Sequence, residues 1–185
     1  MNKRESCKIN GLKYPSADKI TSRDSTVARS MASTVVPKKS CDPDTERMIV
    51  NILGQEQDKP TCVYCGRPAT HLDHLHPLVR DQFPTGYCSD PYNLVPCCKD
   101  CNQNKRSLEW EKYMNDPQYS TNTDGKLQER IERLRQLTEK CPAKHIDFNA
   151  IEGFKDDWNE AYNNVKEALA HAADVLEHYK SKLTQ

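Results

Sequence analysis

Two cysteine pairs, Cys62-x2-Cys65 and Cys98-x2-Cys101, are separated by 32 residues. Each spacing puts two sulfurs on one side of a turn, where a tetrahedral metal site can be completed. If both pairs serve one site, the chain that leaves the first pair must return to the second, so an entire hairpin has to fit between them. The separation exceeds the roughly 15–20 residues of compact zinc fingers. Four cysteine ligands fill the coordination shell and leave no position for water, so the Zn²⁺ expected here is structural and not catalytic. Cys97 offers a neighbouring register, but only Cys98 forms a C-x2-C pair with Cys101.

Nine cysteines, an odd number, occur in the 185 residues. The amino end is basic and polar and lacks the ~7–15-residue apolar run of a secretory signal. No stretch approaches the ~20 apolar residues that would span a bilayer. A cytoplasmic protein without membrane association is expected, and in that compartment paired cysteines read as metal ligands rather than disulfides. Cys7, Cys41, Cys88 and Cys141 have no partner at such a spacing and are expected as free thiols.

The formal net charge is zero, but residues 1–40 carry nine Lys/Arg against three Asp/Glu. A basic end of this kind is the footprint of a polyanion-binding segment. Residues 1–40 have few large apolar side chains and no sustained period, so a basic polar arm outside the core is expected. Residues 41–59 read as a helix and linker: Asp42 suits an N-cap, Pro43 the first helical position, and Met48, Ile49, Ile52 and Leu53 form one apolar face before Gly54. Residues 60–115 hold the chemistry, and residues 116–185 form a helical C-terminal extension.

Within that extension Leu127, Ile131, Leu134 and Leu137 mark an amphipathic helix closed by Cys141-Pro142. Further on, Trp158, Tyr162, Val165, Leu169, Ala172, Leu176, Tyr179 and Leu183 alternate at spacings of four and three, a heptad seam. Two partners fit it equally: the helix at 127–140 folding back, or a second copy in a homodimer.

Between the cysteine pairs lies His71-Leu-Asp73-His74-Leu-His76-Pro77, and the second pair is embedded in Asn93-Leu-Val-Pro-Cys-Cys-Lys-Asp-Cys101-Asn102-Gln-Asn-Lys105-Arg106. In this order (C-x2-C, D-H-x-x-P, N-L, C-x2-C-N-x-x-K) residues 62 to about 113 resemble the HNH endonuclease family. The resemblance implies an α+β fold with a ββα-metal core, stapled by a four-cysteine zinc site and flanked by helices. It implies a strand ending at His74, a second beginning near Asn93, and a helix from about Lys99 to Met114. Asn93 would fix the loop and orient the base, and Lys105 and Arg106 would contact phosphate. An ordinary solvated helix face accounts for Arg106 equally well.

The chemistry agrees with the resemblance. Phosphodiester hydrolysis needs a base to activate water and a cation to offset charge on the phosphate. His74 is neutral near pH 7 and suits the base. Asp73 and Asn102 offer hard oxygen ligands that suit Mg²⁺ or Mn²⁺ and leave positions open. Asp73 and His74 are neighbours and in a straight strand would face opposite ways, so the strand must bend or end there. His71 fits the polar face of a strand, His76 an accessory role, and His145, His171 and His178 the surface.

The expected function is therefore a metal-dependent endonuclease acting on DNA, with a restriction or defence context preferred. A zinc-stapled DNA-binding module without turnover is the alternative from another class, although it would have no need of Asp73, His74, Asn93, Asn102 and Lys105 together. An RNase built on the same site is the third reading.

Overall fold

Four residue pairs of antiparallel sheet lie at the centre of the fold. β1 (His71–His74) runs beside β4 (Leu94–Cys97), with His71 opposite Cys97 and His74 opposite Leu94. α3 (Lys99–Lys105) follows β4 directly and packs on β1, which completes a ββα unit in an α+β architecture. The excursion between the two strands carries a second hairpin, β2 (Val79–Arg80) with β3 (Phe83–Pro84). The computed structural model describes residues 20–119 and 124–183, so the first nineteen residues of the expected arm lie outside the described residues. No described helix is long and apolar enough to cross a membrane.

The ββα unit is buried against two helices. α2 (Pro43–Leu53) starts where Asp42 accepts from the amides of Asp44 and Thr45, and stops where Gly54 takes a left-handed φ of 58°. It contributes Ile49 and Leu53 to a core that includes Tyr64, Leu75 and Val95. α5 (Leu127–Lys140) adds Ile131, Leu134 and Leu137, and its Arg133 Nη1 donates to the carbonyls of Leu53 (2.8 Å) and Gly54 (3.1 Å). A cation there satisfies carbonyls at the end of α2 and docks the two helices.

The helix expected from Lys99 to Met114 is broken in two. α3 ends at Lys105, Arg106 adopts φ 50° and ψ −119°, and α4 spans Trp110–Asn115. Lys105 and Trp110 both point into the core. In one continuous helix, residues five apart diverge by roughly 140° at ~3.6 residues per turn, so burying both requires a break between them.

A second apolar cluster corrects the expectation of an arm without core. Asp24–Val35 form α1, whose Ala28 and Ala32 are fully buried. Ala32 and Val36 pack with Phe148 and Trp158, and Met31, Val79 and Phe83 lie at the edge of the group. The helix brings small side chains and its partners bring the bulk. Two alanines four residues apart allow close approach, but they do not register as an apolar stripe.

α6 (Phe154–Leu183) supplies Trp158 to this cluster. The indole Nε1 donates to Gln82 O at 2.9 Å and the ring meets Phe83 edge-on at 5.9 Å, so α6 grips the β2–β3 turn. That turn needs holding, because both of its residues, Asp81 (φ 50°) and Gln82 (φ 62°), have positive φ without being glycine. α6 packs on α1, with Lys166 paired to Asp24, whereas α5 packs on α2 and α4. The heptad seam is buried at Trp158, beside α1, while its Val165, Leu176, Tyr179 and Leu183 are exposed.

Candidate active site and metal centre

Cys62 and Cys65 lie on a turn before β1, closed by Gly66 N donating to Cys62 O at 2.8 Å with Gly66 at φ 77°. Cys98 is the N-cap of α3, and Cys101 lies in its first turn. Their four sulfurs lie within 4.8 Å of one another and all four residues are buried. The Cys65 and Cys98 sulfurs are 3.7 Å apart, matching the roughly 3.8 Å edge of a tetrahedron with ~2.3 Å zinc–sulfur bonds. Arg67 reaches both, with Nε 3.4 Å from Cys65 Sγ and Nη2 3.5 Å from Cys98 Sγ. A guanidinium there offsets the excess negative charge that four thiolates keep around a dication. The donor set fits zinc. Cys97 instead enters the core, where burial pushes its thiol up to about 12, and it does not join the quartet.

A cavity of about 220 Å³ opens beside the end of β1. Asp73, His74 and Asn102 all line it, with Arg106 and Ser107 from the break after α3 and Arg29 from α1. The strand ends at His74, which is how adjacent residues reach one cavity. Asp73 Oδ2 accepts from Tyr64 OH at 2.7 Å and lies 3.2 Å from Lys105 Nζ. Asp73 Oδ1 has no protein partner among the described residues. This oxygen and the Asn102 amide are the hard donors the cavity offers to a divalent cation.

His74 Nε2 is 3.0 Å from Ser89 Oγ, and burial pushes the imidazole below its ordinary pKa. Ser89 is itself fixed, since its amide donates to Pro37 O and its carbonyl accepts from Lys39 N. Asn93, fully buried, clamps the loop beyond His74. Its Oδ1 accepts from His76 N at 2.8 Å, and its Nδ2 donates to His76 O (3.1 Å) and Cys88 O (3.0 Å). Its carbonyl takes the Leu75 amide at 2.9 Å.

Lys105 departs from its expected place. It is fully buried, donates to His74 O at 2.6 Å and pairs with Asp73, so it holds the strand end rather than meeting phosphate. Arg106, beyond the end of the helix, is exposed on the cavity wall. His71 is exposed and bonded to Thr70 Oγ1, while His76 stacks on Tyr87 at 4.1 Å and bonds to Glu109 Oε2 at 2.7 Å; neither lines this cavity. Sequence reasoning misses Ser89, Tyr64 and Arg29. Only Tyr64, between the first two cysteines, sits inside a motif.

Residues 62–108 match the family model of the HNH endonuclease, about a quarter of the chain. No curated protein and no solved structure matches the chain. The matched segment holds the cysteine quartet, the strand pair and α3, and the family it matches is one of nucleases.

Elemental analysis is expected to return one zinc per chain for the wild type and for Cys97→Ser, and none for Cys98→Ser. A strong chelator near pH 7 should unfold the domain, read as loss of its near-ultraviolet circular dichroism. Lys105→Met strands the Asp73 carboxylate in the core and is expected to lower stability by about 3–5 kcal/mol in urea denaturation.

Proposed function

We propose that this protein is a metal-dependent endonuclease that hydrolyses phosphodiester bonds in DNA, with His74 activating the attacking water. The observation that carries the reading is the convergence of Asp73, His74 and Asn102 on one cavity beside a buried carboxylate–lysine pair. A base, hard oxygen donors and open space for a phosphate are the minimum for this chemistry.

We assign Ser89 Oγ as the acceptor from Nε2–H, which leaves the lone pair of His74 on Nδ1, and burial of the ring favours its neutral form. Nδ1 takes the proton of the water whose oxygen bonds to phosphorus. The phosphorus–oxygen bond to the departing sugar breaks, and that oxygen acquires a proton from solvent. Asp73 and Asn102 would hold Mg²⁺ or Mn²⁺, which supplies charge stabilisation to the phosphate and the departing oxygen. Asn93 keeps the backbone after His74 from shifting, and Lys105 does the same from below. The zinc in the cysteine quartet is structural. A restriction or defence enzyme acting on DNA in the cytoplasm is the context we assign.

The homodimer belongs to the same reading. The heptad repeat continues along α6 where α1 no longer covers it, and such a repeat is the pattern by which two copies of one helix pack. Sedimentation at micromolar concentration is expected to return a dimer that Leu176→Asp converts to monomer.

Incubated with supercoiled plasmid and Mg²⁺ or Mn²⁺, the wild type is expected to release discrete fragments. His74→Ala should lower the rate by roughly 10²–10⁴-fold, and EDTA should abolish cutting. A wild type that holds zinc and binds DNA yet matches His74→Ala on plasmid, genomic DNA and RNA would sink catalysis in favour of a binding module. Cleavage confined to RNA would reassign the substrate.

A further inference from the structure

We propose that Arg29, on α1 and outside the HNH segment, is a substrate-binding residue of the nuclease site, gripping the scissile phosphate opposite Arg106. The proposal rests on the endonuclease reading and adds a residue to it. Arg29 lines the cavity that Asp73, His74 and Asn102 share, and Arg106 lines it from the residue after α3. Among the described residues, neither guanidinium has an ion pair or a side-chain hydrogen bond. Three other cations of the domain are paired: Lys105 with Asp73, Arg80 with Glu109 and Arg67 with Asp100. With the Asp73 carboxylate already faced by Lys105, two unpaired arginines leave the cavity wall cationic. That is the charge a phosphodiester oxygen pair seeks, and a planar guanidinium can meet both oxygens at once.

Arg29 also stands on a rigid support, as a residue that positions substrate must. Ala28 beside it and Ala32 beyond it are fully buried, and the Lys166–Asp24 pair ties the first turn of α1 to α6. At the other end, the segment after α1 exchanges backbone hydrogen bonds with Ser89, through Pro37 O at 3.1 Å and Lys39 N at 3.1 Å. Ser89 is the residue bonded to His74. The element that presents Arg29 is thus the one that steadies the base, so phosphate and base are placed by one piece of backbone.

The test uses the full zinc-loaded chain with Mg²⁺ and a DNA substrate cut by the wild type, comparing Arg29→Ala, Arg29→Lys and Arg47→Ala. Arg47 lies on α2 beside Asp44 and controls for loss of one positive charge. Arg29→Ala is expected to lower kcat by about 100-fold, as loss of one preorganised donor to transition-state charge does. Arg29→Lys should recover only part of that, and Arg47→Ala should stay within about twofold of wild type. Thermal melting of all three should match the wild type, since Arg29 is exposed. Arg29→Ala within twofold of an active wild type overturns the proposal and leaves the endonuclease reading standing. Full recovery by Arg29→Lys overturns the bidentate grip. A wild type inert on DNA overturns both.

Discussion

The constraint on which the rest depends is closure of the cysteine quartet. Strands of four residues are too short to hold register by pairing alone, and β1 and β4 are separated by the excursion of residues 75–93. Cys62 and Cys65 precede β1, and Cys98 and Cys101 follow β4, so drawing their sulfurs within 4.8 Å brings the outer ends of both strands together. The quartet also aims α3. Cys98 caps that helix, and Cys101 and Lys105 are four apart on the same buried face. The helix that completes the metal site is therefore the one that delivers an ammonium to Asp73 and to the carbonyl of His74.

That ammonium holds one side of the Asp73 carboxylate and leaves the other open. Burial pushes Lys105 below its ordinary pKa, and the neighbouring Asp73 opposes the shift. A buried pair of this kind contributes little net stability once desolvation is counted, but it fixes geometry, because the alternative is an unpaired charge in the core. Tyr64 and Lys105 converge on Oδ2 of Asp73, so Oδ1 is free of protein partners among the described residues. The tight side of the carboxylate orients the open side.

What can be read from the sequence is the spacing-encoded part. The quartet, the cap at Asp42, the amphipathic face of α5 and the convergence of Asp73, His74 and Asn102 all follow from residue types at set intervals. Lys105 falls on the expected helix but not on its solvent side, since a lysine near a helix end carries no local sign of burial. The break at Arg106 depends on Lys105 and Trp110 both being inside, which is a tertiary fact. α1 is hidden because Ala28 and Ala32 are small, and the heptad of α6 specifies a face without saying that α1 packs on α6.

The site's position between two apolar clusters follows from these pieces. The first cluster, around Tyr64, Val95 and α5, holds Asp73 and Asn102 through the strand and α3. The second joins α1 to α6 and the β2–β3 hairpin, and Leu78 and Val79 at its edge also line the cavity. His74 belongs to the first by its strand and to the second through Ser89, whose backbone partners lie just after α1. The first wall of the cavity is braced by the cysteine quartet and the second by Trp158 on the Gln82 carbonyl. Both walls are thus held from outside the cavity, and α1 reaches it although it lies outside the matched segment.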